Sequence, residues 1–345
     1  MANVVVLVYF VTFTLLTIFF PRTLAVTIRS GLMHRTHGFV ANISIGEPAM
    51  YQLVLIDASK PYNSHMCGVY GGKQGDKGKC LYKSKFPDQS VSMGTLGRDT
   101  LQFTTTSDNG KMRVPMIAFG CGTHNAGGGF GDEYSGILGL GPGETSLVRQ
   151  IGSSQFSFCI GSLIINDPYS HLIIGDGATI EGNPTPFEIY QDSYYVKLDG
   201  ISIGDKQLAI DRKVITNSVT FDLRTPTTYL PKGAYEVLSA EVTRLNQGKL
   251  ELVDMVSDRL CFLGHVSEDV KYFPDVRIQF SEGACLALPP ESLFDQTFGD
   301  AFCMTIESSE KDLTIIGFFA MQNYNVGFDL VEKQMYLEYV ECEIA

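Results

Sequence analysis

The chain has 345 residues, of which 44% are hydrophobic and only 19% are charged, so it is a globular protein long enough for two cores. Its formal charge of -12 and pI near 4.9 exclude a nucleic-acid partner, because too few cations are available to neutralise phosphates. Abundant Gly (35), Phe (22) and Tyr (16) favour short β-strands.

The first predicted element is an apolar leader. Residues 4–20 carry no charge, and Thr23-Leu24-Ala25 offers the small residues that a signal peptidase recognises. We predict that residues 1–25 are a signal peptide and that the protein is secreted. A retained membrane anchor stays open, because the run nearly reaches the length of about 20 residues that spans a bilayer. A membrane is therefore a partner only if this leader is not cleaved.

Eight cysteines, at 67, 80, 121, 159, 261, 285, 303 and 342, follow the leader, and none forms a C-x-x-C pair. Disulfides are the better interpretation in an oxidising compartment, and a zinc site is not expected. The six His residues also lack metal spacing, so we predict neither a metal nor a cofactor. Asn42-Ile43-Ser44 is the only glycosylation sequon, and its use stays open.

Along the chain, short apolar runs are separated by Gly-rich turns, as in an all-β protein. Residues 53–57 (Leu-Val-Leu-Ile-Asp) predict a strand that ends on Asp57, and residues 219–222 predict a second one that ends on Asp222. Residues 201–205 predict a strand that enters a turn. Only two helices are predicted, over 145–151 and 231–245, the second beginning with a proline.

A coarse internal repeat relates the two halves of the chain. Each half pairs a strand that ends on an Asp with a later segment of two aliphatic residues and a Gly, at Ile137-Leu138-Gly139 and Ile315-Ile316-Gly317. Glycine would permit close backbone approach beneath each Asp loop. We therefore predict an N-terminal β lobe over 26–190, a C-terminal β lobe over 191–345, and both aspartates in one cleft.

Six segments together resemble pepsin-like aspartic proteases (family A1), and specifically the plant nepenthesin-type branch. They are residues 43–48 (Ile-Ser-Ile-Gly-Glu-Pro), 117–122 (Ile-Ala-Phe-Gly-Cys-Gly), 136–141 (Gly-Ile-Leu-Gly-Leu-Gly), 156–159 (Phe-Ser-Phe-Cys), 228–231 (Thr-Tyr-Leu-Pro) and 325–329 (Asn-Val-Gly-Phe-Asp). The resemblance extends from about Gly38 to Cys342. It implies an all-β, bilobal pepsin-like fold with a few short helices.

By resemblance, Asp57 and Asp222 are the catalytic dyad of an endopeptidase. One carboxylate is ionised and the other protonated, and both hold a water that attacks the peptide carbonyl. Aspartic proteases are themselves the standard example of two carboxylates whose titrations are coupled. The resemblance further implies a polypeptide substrate in the interlobe cleft, a monomer, and residence in the apoplast or a vacuole.

The cysteines follow the family only in part. The resemblance pairs Cys261 with Cys303, and Cys159 with Cys342. Cys67 pairs with either Cys80 or Cys121, and these two alternatives stay open. Cys285 is interpreted as a free buried thiol.

Both catalytic loops depart from the family pattern. Asp-Thr-Gly-Ser is here Asp57-Ala58-Ser59-Lys60, and Asp-Ser-Gly-Thr is Asp222-Leu223-Arg224-Thr225. Ala58 and Leu223 lack the hydroxyl that braces each family loop against the other. Arg224 and Lys60, if turned inward, would hold both aspartates ionised and remove their shared proton.

The predicted substrate contacts are aromatic. The resemblance predicts a flap near residues 86–100 and places Phe86 where the family flap normally carries a hydrogen-bonding Tyr. Tyr62 and Tyr229 are expected to flank the cleft with Phe86. Because the two residues that follow each aspartate have both changed, we predict a weak or inactive protease homologue. Two alternatives stay open: an active aspartic endopeptidase, and a non-catalytic binding or glycosidase-inhibitor protein on the same scaffold.

Overall fold

A computed structural model gives the fold. It describes residues 27–35, 38–58, 73–74, 80–85, 90–104, 110–127, 134–163, 169–190, 193–215, 219–253, 259–309 and 313–342. The predicted leader and the predictions for Tyr62, Cys67 and Phe86 lie outside these residues, as do Ser59 and Lys60.

Strands make up most of the described chain, as the alternating pattern predicts. They are β1 (Ile28–Arg35), β2 (Gly38–Ile45), β3 (Met50–Asp57), β4 (Lys73–Gln74), β5 (Cys80–Lys85), β6 (Val91–Thr104), β7 (Lys111–Ala126), β8 (Gly136–Gly139), β9 (Gln155–Ile160), β10 (Ser170–Ile174), β11 (Asn183–Tyr190), β12 (Ser193–Val196), β13 (Leu198–Ile203), β14 (Lys206–Gln207), β15 (Val219–Phe221), β16 (Thr228–Pro231), β17 (Leu252–Val253), β18 (Cys261–Leu263), β19 (Val276–Phe280), β20 (Cys285–Leu288), β21 (Phe294–Phe298), β22 (Ala301–Met304), β23 (Ile306–Ser309), β24 (Thr314–Ile316), β25 (Tyr324–Asp329) and β26 (Gln334–Tyr339).

Helices in the described residues are few and mostly one turn long. They are α1 (Leu147–Gln150), α2 (Lys232–Asn246), α3 (Val266–Asp269) and α4 (Pro290–Leu293), with 3₁₀ turns at Ser281–Gly283 and Phe318–Met321. Both predicted helices are confirmed. The hydroxyl oxygen of Ser146 accepts a hydrogen bond from the Arg149 amide and so caps α1. Pro231 precedes α2, where its missing N–H group costs nothing.

One continuous antiparallel ladder joins the two halves of the chain. Its strands follow the order β1, β10, β9, β25, β26 and β11, so β9 from the first half of the chain pairs directly with β25 from its end. Large aromatic side chains from its faces are fully buried, among them Phe156, Phe158 and Phe328. This sheet fixes the first half of the chain against the second, and the predicted all-β, bilobal arrangement follows from it. The lobe boundary at residue 190 stays a prediction.

The internal repeat predicted from the sequence is confirmed. In the first half, β3 runs parallel to β8, with Asp57 opposite Gly139. In the second half, β15 runs parallel to β24, with Phe221 opposite Ile316, and the Asp222 amide donates to the Ile316 carbonyl at 3.0 Å. Each aspartate therefore leaves its strand at the same point of an equivalent parallel pair.

The expected role of the two glycines is confirmed in only one half. A Cβ atom on Gly317 would lie 2.4 Å from the Thr227 carbonyl oxygen, so only glycine fits under the second loop. Among the described residues, nothing lies within 4 Å of the position of a Cβ atom on Gly139. Because Ser59 and Lys60 of the first loop are outside the described residues, the role of Gly139 stays a prediction.

Two disulfides implied by the resemblance are confirmed. Cys159 bonds to Cys342, and Cys261 bonds to Cys303 across the β18–β22 pair. Cys80 is also disulfide-bonded. Cys121 is a free, exposed thiol, which removes the Cys67–Cys121 alternative, and Cys285 is free but only half-buried.

Candidate active site

Asp57 is the last residue of β3 and is fully buried. Its main chain is fixed from the neighbouring strand, since the Leu140 amide donates to the Asp57 carbonyl oxygen at 2.7 Å. The next residue, Ala58, is also buried. The run of apolar residues in β3 explains this placement, because a strand buried at its C-terminal end carries the last side chain into the interior.

Asp222 directly follows β15, and its carboxylate is held by its own loop. The Arg224 amide donates to Oδ1 at 2.9 Å, and the Thr225 hydroxyl donates to Oδ2 at 3.0 Å. A short loop in which an Asp side chain accepts from the amide two residues ahead is an Asx turn. This turn fixes the second aspartate while Asp222 remains only 9% exposed.

Arg224 brings the two aspartates together. Its Nε atom lies 3.4 Å from Oδ2 of Asp57 and 3.5 Å from Oδ1 of Asp222. The side chain is only 14% exposed, so the guanidinium points into the protein. Arginine keeps its charge at any pH that a folded protein tolerates. One buried cation is therefore shared by both carboxylates that the sequence predicts as a dyad.

The two positions that carry a bracing hydroxyl in related loops are apolar and buried. Ala58 is 4% exposed and Leu223 is fully buried within the hydrophobic core. Loss of one hydroxyl that leaves its partner unsatisfied costs about 1–3 kcal/mol, whereas loss of both members of a pair can be nearly neutral. Because both hydroxyls are replaced together, neither aspartate loop has lost only one member of such a pair.

Gly38 at the start of β2 packs directly on the second loop. Its φ is +123°, and a Cβ atom there would lie 2.4 Å from the Leu223 carbonyl oxygen and 2.9 Å from Cα of Arg224. Only glycine combines this backbone conformation with this contact. A strand from the N-terminal half thus supports the loop that carries Arg224.

A cavity of about 500 Å³ lies beside the first aspartate strand, between the β5–β6–β7 hairpins and β8. Its lining is largely apolar, and the polar residues in it include Gln52, Tyr82, Ser84, Ser92 and Asn125. The Tyr82 and Ser92 hydroxyls are 2.8 Å apart. Burial raises the pKa of Tyr82, and the Ser92 hydrogen bond opposes that rise. Ligand-sized pockets commonly have this composition.

Sequence reasoning did not single out Tyr82. The signal available was its position in the strand that leads to the predicted flap, where an alternate side chain faces the sheet interior. β5 and β6 pair antiparallel, with Lys85 opposite Val91. The flap near residues 86–100 stays a prediction.

Tyr229 lies on β16, seven residues beyond Asp222 along the chain, and does not line this cavity. It sits opposite Glu307 in the parallel β16–β23 pair, and Glu307 in turn forms an ion pair with Arg259 at 3.2 Å. Burial, then the Glu307 charge, raises the pKa of Tyr229, and Arg259 opposes the rise. Its predicted contact with a ligand stays a prediction.

The described part of the chain contains neither a metal cluster nor a helix that could span a membrane. No group of three or more His, Cys, Asp and Glu residues there could hold a metal ion. Nor is any helix among those residues long and apolar enough to cross a membrane.

Two protein families match most of the chain. The xylanase inhibitor N-terminal family matches residues 58–176, and the xylanase inhibitor C-terminal family matches residues 193–338.

Curated relatives are plant aspartic proteases. The chain is 30% identical to aspartyl protease UND of Arabidopsis thaliana over 269 residues, covering 77% of this chain and 66% of the relative. It is also 30% identical to aspartic proteinase nepenthesin-2 of Nepenthes gracilis over 285 residues, covering 78% and 63%. The chain therefore spans slightly less than two thirds of the length of these relatives.

Solved structures share the fold at low identity. Basic 7S globulin from soybean superimposes with a TM-score of 0.75 at 18% identity, covering 92% of this chain and 97% of that one. An aspartic proteinase from Irpex lacteus gives a TM-score of 0.65 at 14% identity, covering 91% and 98%. These likenesses confirm the bilobal fold predicted from the sequence.

Proposed function

Because the chain belongs to the pepsin-like aspartic protease family, we propose that it is a catalytically inactive or strongly impaired member that binds polypeptide in its interlobe cleft. The observation that carries this proposal is the position of Arg224, whose Nε atom contacts both Asp57 and Asp222. Peptide hydrolysis by two aspartates needs one shared proton and a water held by both carboxylates.

A guanidinium between the carboxylates opposes both requirements. Its permanent positive charge offsets one of their two negative charges, so it weakens the repulsion on which a shared proton depends. It also takes up contacts on Asp57 and Asp222 that a nucleophilic water would need. Each lost positioning or electrostatic group in an active site costs about 10²–10³ in rate, and here the bracing hydroxyls are replaced as well.

Ion-pair energetics support a stable rather than a transient arrangement. Asp57 is fully buried and Arg224 is 14% exposed. Separating a buried pair leaves an uncompensated charge, which costs about 3–5 kcal/mol. Rotation of Arg224 out of the site would therefore have to be driven by a comparable gain elsewhere.

The remaining cleft keeps features that suit peptide binding. On the side away from β6, β5 pairs with β4 only at Cys80 and Leu81 among the described residues, so the rest of this edge offers backbone groups to an extended chain. The cavity beside β8 offers apolar surface for one side chain of such a peptide. Binding by strand addition needs neither a shared proton nor an activated water.

The test is cleavage of a denatured protein between pH 3 and pH 5 by the purified protein, with and without pepstatin. We expect no pepstatin-sensitive product, and we expect extended peptides to bind, as measured by fluorescence anisotropy. Pepstatin-sensitive cleavage at a rate typical of aspartic endopeptidases would overturn the proposal.

A second candidate function rests on the family descriptions. Both halves of the chain match families described as xylanase inhibitor domains. On this proposal the protein binds a glycosidase of the xylanase class through its surface. Titration of a panel of purified xylanases tests it, with inhibition at a stoichiometric ratio as the expected result; no inhibition across the panel would contradict it.

We also propose that the protein is secreted as a monomer. The apolar run at residues 4–20 supports entry into the secretory pathway, and the two disulfides support an oxidising compartment. Asn42 is exposed on β2, so its sequon would be available to carry a glycan on the folded protein. Expression of the full chain in plant cells, followed by sizing and glycosidase treatment of the medium, tests each point.

A further inference from the structure

Tyr194 makes a hydrogen bond from the predicted C-terminal lobe to the N-terminal half of the chain. It lies on β12, at the start of the predicted C-terminal lobe, and its hydroxyl donates to the Leu140 carbonyl oxygen at 3.2 Å. Leu140 belongs to the segment that directly follows β8 in the N-terminal half. The bond is buried, so water does not compete for either partner.

Leu140 also bonds to Asp57. The Leu140 amide donates to the Asp57 carbonyl oxygen at 2.7 Å, and Asp57 lies opposite Gly139 in the parallel β3–β8 pair. Leu140 therefore accepts from Tyr194 through its carbonyl group and donates to Asp57 through its amide group. The two bonds together fix the Leu140 main chain between Tyr194 and Asp57.

An aromatic cluster fixes the Tyr194 ring. The ring centroid is 5.0 Å from that of Phe328, 5.1 Å from that of Phe187 and 6.0 Å from that of Phe156, and Tyr194 is 5% exposed. These phenylalanines lie on β25, β11 and β9 of the sheet that joins the lobes. Burial raises the pKa of Tyr194 far above its usual value, so the hydroxyl remains a neutral donor.

We infer that Tyr194 is an interlobe positioning residue whose hydroxyl ties the Asp57 segment to the joining sheet and so holds Asp57 within reach of Arg224. The inference concerns how the lobes are set against each other, and it holds whether or not the cleft cleaves peptides.

The contact between Asp57 and Arg224 depends on how the two predicted lobes are positioned. Asp57 comes from one lobe and Arg224 from the other, yet their charged atoms are 3.4 Å apart. A small rotation between the lobes would lengthen this contact. The hydroxyl of Tyr194 restrains that rotation close to the site, whereas the rings around it provide packing that a phenylalanine could also provide.

The test compares Tyr194→Phe with Tyr195→Phe in the full mature protein. Tyr195 is the next residue of the same strand, is half-buried and has its ring beside Tyr190. Solvent exchange is measured by ¹⁵N NMR at the Arg224 Nε–H group and at the Leu140 amide. The Phe158 amide, in the core of the joining sheet, serves as the internal reference for global opening.

Loss of one buried hydrogen bond corresponds to a change of about two- to tenfold in the local opening equilibrium. We expect Tyr194→Phe to speed exchange at Arg224 and Leu140 by that factor relative to Phe158. We expect Tyr195→Phe to leave both ratios unchanged. Equal acceleration at all three groups, or no acceleration at Arg224, would show that Tyr194 contributes packing only and would overturn the inference.

Discussion

The Nε atom of Arg224 lies 3.4 Å from Oδ2 of Asp57, although the two residues come from opposite halves of the chain. The same atom lies 3.5 Å from Oδ1 of Asp222. Asp57, which the sequence predicts as a catalytic acid at the end of a strand, is thus paired with a cation from the loop that carries Asp222. This pairing makes the catalytic state of the protein depend on two short loops and on the contacts that support them.

Restoration of the family loops should restore chemistry. The quadruple variant Ala58→Thr, Ser59→Gly, Leu223→Ser and Arg224→Gly removes the cation and returns the bracing hydroxyls. We expect measurable, pepstatin-sensitive cleavage of a fluorogenic peptide near pH 4, where the parent protein gives none. The control adds Asp57→Ala to the quadruple variant and should abolish the signal; activity that survives this control would come from a contaminant. If the quadruple variant folded but stayed inactive, residues outside the two aspartate loops would be responsible for the lack of catalysis.

Replacement of Gly38 by alanine, which adds a single methyl group, should lower the stability of the protein. Gly38→Ala places a Cβ atom 2.4 Å from the Leu223 carbonyl oxygen at a φ of +123°, so the second loop must shift or the backbone must strain. Backbone strain of this kind costs about 1–3 kcal/mol in the free energy of unfolding. Denaturant unfolding measures the loss. Gly31→Ala on β1 is the matched control, because a Cβ atom there meets nothing within 4 Å. Equal stability of the two variants would contradict the close contact.

The sequence predicted the two strands that carry Asp57 and Asp222 but not the ion pairs that Arg224 forms with them. The repeat could be predicted because the same local pattern occurs twice: an apolar strand that ends on an Asp, followed later by two aliphatic residues and a Gly. The direction of Arg224 was left open, since it depends on a carboxylate from the other lobe.

Local sequence also failed to separate Gly139 from Gly317. Both follow two aliphatic residues, but among the described residues only Gly317 has a carbonyl oxygen at 2.4 Å from the position of a Cβ atom. The bond from Tyr194 to Leu140 carried no local signal either, because its partners are far apart in sequence.

Acid stability should depend on Glu241. Hydrogen bonds from Arg244 and then from Lys206 lower the pKa of this buried α2 carboxylate from 4.5 to about 2. A depressed pKa in the folded state gives stability that is present above pH 4.5 and is lost as the pH falls towards 2.

Glu241→Gln should therefore lower the free energy of unfolding at pH 6 and flatten its decline between pH 4.5 and pH 2. The expected loss at pH 6 is about 1–2 kcal/mol, less than the full shift implies because Lys206 and Arg244 are more than half exposed and so screened by water. Unfolding curves at several pH values measure it. Parallel pH profiles for the parent and the variant would contradict the assignment.

The two free thiols should differ sharply in reactivity. Cys121 is exposed, whereas Cys285 is half-buried and burial raises its pKa above 9.0. Because the thiolate is the reactive form, we expect a maleimide to label Cys121 quickly and Cys285 slowly in the native protein. Cys121→Ser should remove the fast phase and Cys285→Ser the slow one. If the parent protein showed no fast phase, the assignment of Cys121 as a free, exposed thiol would be wrong.

An atomic-resolution crystal structure of the ligand-free protein tests the central claim most directly, because it shows what occupies the space between the two aspartates. We predict the Arg224 guanidinium there, with Nε within about 3.5 Å of both Asp57 and Asp222 and no water bound by both carboxylates. A water bridging the two carboxylates, with Arg224 turned out to solvent, would contradict the account and restore the protease interpretation.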